Sequence, residues 1–171
     1  MALTTSIETS ASYDRFQELK SFDESKAGVK GLVDSGITQV PRIFHRPPED
    51  IAADDPISGG GGIAIPVVDL AGERSGVVVG VRRAAETVGL FQVVNHGVAT
   101  EVVEEIMAAA REFHEAAREV KAEYYTREKG KKVKYGSNFD LYRSKFVSWR
   151  DTLFCAMAPE PFDPLELPLV C

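Results

Sequence analysis

The chain has 171 residues, enough for one ordinary domain with a core, and its 44% apolar content excludes wholesale disorder. Its 20 basic and 26 acidic residues leave a formal charge of -6, which argues against a nucleic-acid partner, because phosphate binding needs a net basic face. No apolar run approaches the roughly 18 to 20 residues of a membrane span, so no membrane partner is expected.

Residues 1–12 are Ser/Thr-rich and lack the charged and apolar regions of a secretory signal. Glu8 and the absence of arginine before Arg15 also argue against a transit peptide. The two cysteines, Cys155 and Cys171, lack metal-type spacing and indicate no disulfide scaffold; Cys155 is expected to be a buried, inert thiol. A cytoplasmic location is the expectation.

The expected organisation is a flexible tail over 1–12, helices and a Pro/Gly-rich linker over 13–62, and a region over 63–171. Phe16, Leu19 and Phe22, then Val29, Leu32 and Val33, predict one or two helices stopped at Gly36. Val40 to Phe44 reads as extended, because Pro41 biases its predecessor away from helix. Pro47 to Gly62 reads as loop. Its glycines Gly59 to Gly62 precede no Gly-Lys-Ser/Thr and form no phosphate loop. Ile63 to Leu70 predicts a buried strand. Val77, Val78, Val81, Ala84, Ala85 and Val88 predict one face of a helix that ends at Gly89.

Leu90 to Val94 predicts a second strand, parallel to the first through the helical crossover. Thr100 is the expected cap of the next helix, with Val102, Val103, Ile106, Ala110, Phe113 and Ala117 as its buried stripe. The charged stretch from Arg118 to Lys134 is expected to continue that helix and then fray. The short basic run from Lys129 to Lys134 reads as a solvated loop. Val133 to Phe139 and Trp149 to Met157 predict strands, with a turn around Asn138, Phe139, Asp140 and Ser144. Pro159, Pro161, Pro164 and Pro168 argue against regular structure at the end.

Four ordered blocks carry a resemblance. They are Gly36-Ile37-Thr38-Gln39-Val40-Pro41-Arg42-Ile43-Phe44; Ile65-Pro66-Val67-Val68-Asp69-Leu70; Arg82-Arg83-Ala84 running into Gly89-Leu90-Phe91-Gln92-Val93-Val94-Asn95-His96-Gly97-Val98; and Tyr135-Gly136-Ser137-Asn138 followed by Trp149-Arg150-Asp151-Thr152-Leu153. Together they resemble the N-terminal region of the plant soluble 2-oxoglutarate- and iron(II)-dependent oxygenases, most closely the ACC-oxidase-homologue branch with its deacetoxyvindoline-hydroxylase-like relatives. The resemblance implies an α/β (α+β) arrangement leading into a double-stranded β-helix, or jelly roll. It implies that relatives use Fe(II), 2-oxoglutarate and ascorbate on a small organic substrate. Their iron sits on His-x-Asp and a distant His, and their 2-oxoglutarate on Arg-x-Ser.

These 171 residues contain none of those motifs. The three histidines read His45-Arg46-Pro47, His96-Gly97-Val98 and His114-Glu115-Ala116, and no arginine is followed two places later by serine. No metal or catalytic residue is therefore expected here. His96 reads as a cap on the turn at Gly97, His45 as solvated, and His114 as a surface or partly buried polar group. A jelly roll of about eight strands does not fit after Trp149, so Trp149 to Met157 is expected to be a first barrel strand without partners. Its edge is expected to favour self-association.

Two readings stand open. One is an N-terminal part of an oxygenase, inactive alone, in which Tyr135, Asn138 and Phe139 either line the substrate side in the full-length form or shape a strand and its turn. The other is a non-catalytic binding or dimerisation module derived from that family.

Overall fold

A computed structural model describes residues 13–53, 64–161 and 163–171. They fall into two compact units, one of residues 13–47 with 110–171, the other of 48–109. Among the described residues no helix is long and apolar enough to cross a membrane.

The first unit opens with α1 (Arg15–Glu24), whose first turn is capped by the Asp14 carboxylate accepting from Gln17 N at 3.0 Å. α2 (Gly28–Asp34) follows. Of the expected apolar side, Leu19, Phe22 and Val29 are buried, whereas Phe16 and Val33 are exposed. Arg42 to Phe44 is a 3-10 turn, closed by His45 N donating to Arg42 O at 3.0 Å. The extended expectation fails there because a proline restrains the residue before it and leaves those after it free to coil. The turn delivers Ile43 and Phe44 to a core with Leu19, Phe22, Val29, Leu141 and Val147. Each such side chain contributes about 1.5–3 kcal/mol by burial. Phe44 meets Phe22 and Trp149 edge-on, at centroid distances of 5.3 and 4.8 Å.

α6 (Arg118–Tyr124) is a separate helix: the chain leaves helical geometry at Ala117 (φ -54°, ψ 149°) and does not continue the preceding helix. β3 (Val133–Ser137) and β4 (Asp151–Cys155) pair antiparallel, with Val133 opposite Cys155 and Tyr135 opposite Leu153. β4 is thus not the partnerless strand expected; the turn after Asn138 folds the chain back onto β3. Leu153 and Val170 pack on a second core of Phe113, Tyr125 and Tyr135. Prolines do not abolish all order at the end, since Pro164–Glu166 forms a 3-10 turn capped by Asp163.

The second unit begins with α3 (Pro48–Ala53), a helix where a loop was expected. Proline is tolerated at the first helical position, and Glu49 and Asp50 suit the positive end of a helix. Gly59 to Gly62 lie outside the described residues. β1 (Val67–Asp69) and β2 (Gln92–Val94) pair in parallel, with Val68 opposite Val93, on either side of α4 (Arg74–Thr87) in sequence. The strand–helix–strand unit stands as read.

α4 starts on Glu73, whose carboxylate accepts from Ser75 N at 2.8 Å. It ends at Gly89, where φ of 83° lets the N–H reach back to Ala84 O at 3.0 Å. Burial is thinner than expected. In β1 only Val68 is buried and in α4 only Ala84, while Ile65, Val67 and Val78 are exposed.

α5 (Thr100–Glu115) has a single buried residue, Phe113, and Val102, Val103 and Ile106 are exposed. Periodicity reports an apolar side and says nothing of what covers it. Thr100 lies inside the helix; the first turn hangs from Ala99 O, which accepts from Val103 N at 3.3 Å.

Candidate functional site

In the second unit the resemblance-bearing blocks meet directly. Asn95, with φ of 52°, turns its side-chain amide to donate to Asp69 Oδ1 at 2.8 Å. Asp69 also accepts from Ala71 N at 2.9 Å. The Asn95 amide first, then the Ala71 N–H, holds this carboxyl below the usual range. His96 Nδ1 accepts from Val98 N at 3.2 Å across Gly97, the turn contact expected of it.

In the first unit two half-buried carboxylates organise the β3–β4 hairpin. Asp151 receives Val29 N at 2.8 Å and Lys30 N at 2.9 Å, the start of α2. It also receives Tyr135 OH at 2.9 Å and the Ser137 hydroxyl. Asp23, at the end of α1, receives Tyr125 OH at 2.7 Å, Arg127 Nε at 2.7 Å and Tyr142 OH at 3.0 Å. Arg127 continues to Asn138 O at 2.8 Å and Ser137 O at 3.0 Å. Burial pushes the Asp23 carboxyl up, but donation from Arg127, Tyr125 and Tyr142 outweighs it, and the group lies below the ordinary carboxylate range.

The three candidate substrate-side residues part company. Tyr135 is fully buried, with its ring edge-on to Phe113 at 5.4 Å and its hydroxyl on Asp151. Asn138 is buried and clamps Ser148 twice, donating to its O at 2.8 Å and accepting from its N at 2.9 Å. Phe139 is half-exposed and faces Phe154 at 6.2 Å, with Lys134 Nζ 5.1 Å from one ring and 4.8 Å from the other. The outward face of the hairpin therefore presents two aromatic rings and one ammonium.

Each histidine is engaged within its own surroundings. His45 Nε2 lies 3.0 Å from Val40 O, His96 serves its own turn, and His114 rests against the rings of Phe113 and Tyr135 at 5.7 and 5.9 Å. Among the described residues no three His, Cys, Asp or Glu side chains gather as a metal set. Asp151 accepts from four protein donors and Asp23 from three. These residues do not fit an iron(II) centre, which needs imidazole and carboxylate converging on one point.

Residues 65–169 match the family described as non-haem dioxygenase in morphine synthesis N-terminal. The chain belongs to that family. A "Probable 2-oxoacid dependent dioxygenase" of Arabidopsis thaliana is 50% identical over 165 residues, covering 93% of this chain and 45% of that protein. A "1-aminocyclopropane-1-carboxylate oxidase homolog" of Solanum lycopersicum is 49% identical, over 94% of this chain and 45% of the relative. The Arabidopsis thaliana protein of that description numbered 2 is 44% identical, over 94% and 46%. The chain spans about half the length of the curated relatives it matches.

Within this dioxygenase N-terminal region, the Asp69–Asn95 bond joins two of the four blocks. Asp151, in the fourth block, ties the hairpin to α2. The motifs were visible in sequence; the two carboxylate hubs were not. Asp23 lies 104 residues from Arg127, and Asp151 lies 122 residues from Val29. The one local signal was Gly28, a glycine opening a helix.

Proposed function

We propose that this chain forms the N-terminal part of a 2-oxoglutarate- and Fe(II)-dependent oxygenase that oxidises a small organic substrate. The relatives' names and the family match support the reaction class. The observation that carries the role of these residues is the pair of hubs. Asp23 and Asp151 are spent on holding α1 and α2 to the hairpin, so this region is a scaffold that leaves the Lys134, Phe139 and Phe154 face outward. In the longer protein that hairpin begins the jelly roll. Phe139 lines the substrate side there, while Tyr135 and Asn138 fix the backbone that presents it. Fe(II), 2-oxoglutarate and ascorbate act only in that longer form, in the cytoplasm. The test is direct. The 171-residue chain, supplied with Fe(II), 2-oxoglutarate and ascorbate, forms no succinate above a metal-only control. Succinate above that control overturns the reading.

A second reading, a non-catalytic dimerisation module, draws on one feature. Among the described residues the sheet has two strands, so β4 has an edge without a ladder partner. A second copy adding there by strand pairing would appear as a concentration-dependent dimer in sedimentation.

A further inference from the structure

The chain's two cysteines lie 16 positions apart in sequence and are both free thiols. Strand alternation puts Leu153 and Cys155 on the same face of β4, opposite Tyr135 and Val133, which are buried. The segment before Cys171 returns to that face. Val170 packs on the cluster containing Leu153 and Tyr135. Tyr124 OH donates to Leu167 O at 3.4 Å, and Cys171 N donates to Pro168 O at 2.8 Å. Val170 and Leu153, the near neighbours of Cys171 and Cys155 in sequence, share that cluster, and Cys171 is felt electrostatically at Cys155; Cys171 is exposed and Cys155 half-buried.

We infer that Cys155 and Cys171 form a redox-active thiol pair, closed to an intramolecular disulfide by exchange with a low-molecular-weight disulfide. The exposed Cys171 thiolate attacks one sulfur of the small disulfide, forming a mixed disulfide and releasing one small thiol. The Cys155 thiolate then attacks Cys171 Sγ, forming the Cys155–Cys171 bond and releasing the second. Two protein thiols are oxidised and one small disulfide is reduced to two thiols, so electrons and protons balance. Electrostatics agrees with the placement. Burial, and then the neighbouring Cys171, pushes the Cys155 thiol up; burial also pushes Cys171 up. Thiolate is scarce at neutral pH, and exchange quickens as pH rises.

The bond would also fix one wall of a groove. Pro168, Leu169 and Val170 face Phe113, Ala116 and Val120 across a cavity of about 580 Å³. Oxidation would lock that wall in place.

The experiment is oxidised glutathione added to the intact chain, followed by non-reducing intact mass and peptide mapping. The expected product is a monomer lighter by two hydrogens, with a peptide linking Cys155 to Cys171. It should form at least ~10-fold faster in the native chain than in the urea-unfolded chain, because the fold raises the effective concentration of one thiol at the other. C155S should accumulate a stable glutathione adduct on Cys171. Independent glutathione adducts on both cysteines of the native wild type, intermolecular links only, or closure no faster than in urea would each overturn the inference.

Discussion

A Cβ added at Gly28 would lie 2.7 Å from both carboxylate oxygens of Asp151, and the backbone at Gly28 holds φ at +66°. The carboxylate takes the space a side chain would need, because it closes on the Val29 and Lys30 N–H groups at 2.8 and 2.9 Å. Left-handed geometry costs a non-glycine residue about 1–2 kcal/mol, and the clash adds to that. Gly28→Ala should therefore lose about 2–4 kcal/mol, read as a lower urea midpoint. A loss below about 0.5 kcal/mol would show that the hub does not hold the helix.

Asp23 predicts the acid limb. Its folded-state value lies below the ordinary 3.8, so its contribution is present above that value and is lost as pH falls through the folded one. Asp23→Asn keeps the shape and removes the charge opposite Arg127, a pair whose side chains are only 14% and 25% exposed. It should cost about 2–4 kcal/mol at neutral pH. It should also flatten the fall in stability between about pH 5 and pH 2. Urea titrations of both proteins across that range decide it; parallel curves would remove Asp23 from the account.

Tyr135 and Tyr125 predict the alkaline limb. Burial pushes both phenols well above the ordinary 10.0, with Asp151 beside Tyr135 and Asp23 beside Tyr125 adding to it. Such groups contribute stability that is whole below pH 10 or so and is lost as pH rises through the folded value. Tyr135→Phe keeps the ring and leaves Asp151 short of one donor, at a cost of about 1–2 kcal/mol near neutrality. Its stability should then fall less steeply than wild type above about pH 10. Equal slopes in circular-dichroism melts would contradict the assignment.

What the sequence disclosed was local. The parallel pair followed from two β-branched runs flanking a helical period, and His96 was placed on its turn by Gly97. What stayed hidden was tertiary. Asp23 and Asp151 look like ordinary surface acids until residues more than a hundred positions away supply their donors. The exposed stripe of Val102, Val103 and Ile106 misled for the opposite reason: an apolar side was evident, its covering was not. Tyr135 and Phe139 belong to the same stretch, yet the pleat and the turn after Asn138 send one to the core and the other outward.

The hubs also bear on where this protein can be cut. The family model begins at residue 65, whereas the unit built on the hairpin recruits residues 13–47. A fragment trimmed to residues 65–169 would strand Arg127 without Asp23 and Asp151 without the head of α2. The segment the family model matches and the unit the hairpin builds are different lengths of chain. Any grafting, truncation or swapping of this region has to travel with the two leading helices, or it carries away a hairpin whose half-buried charges have nothing to answer them.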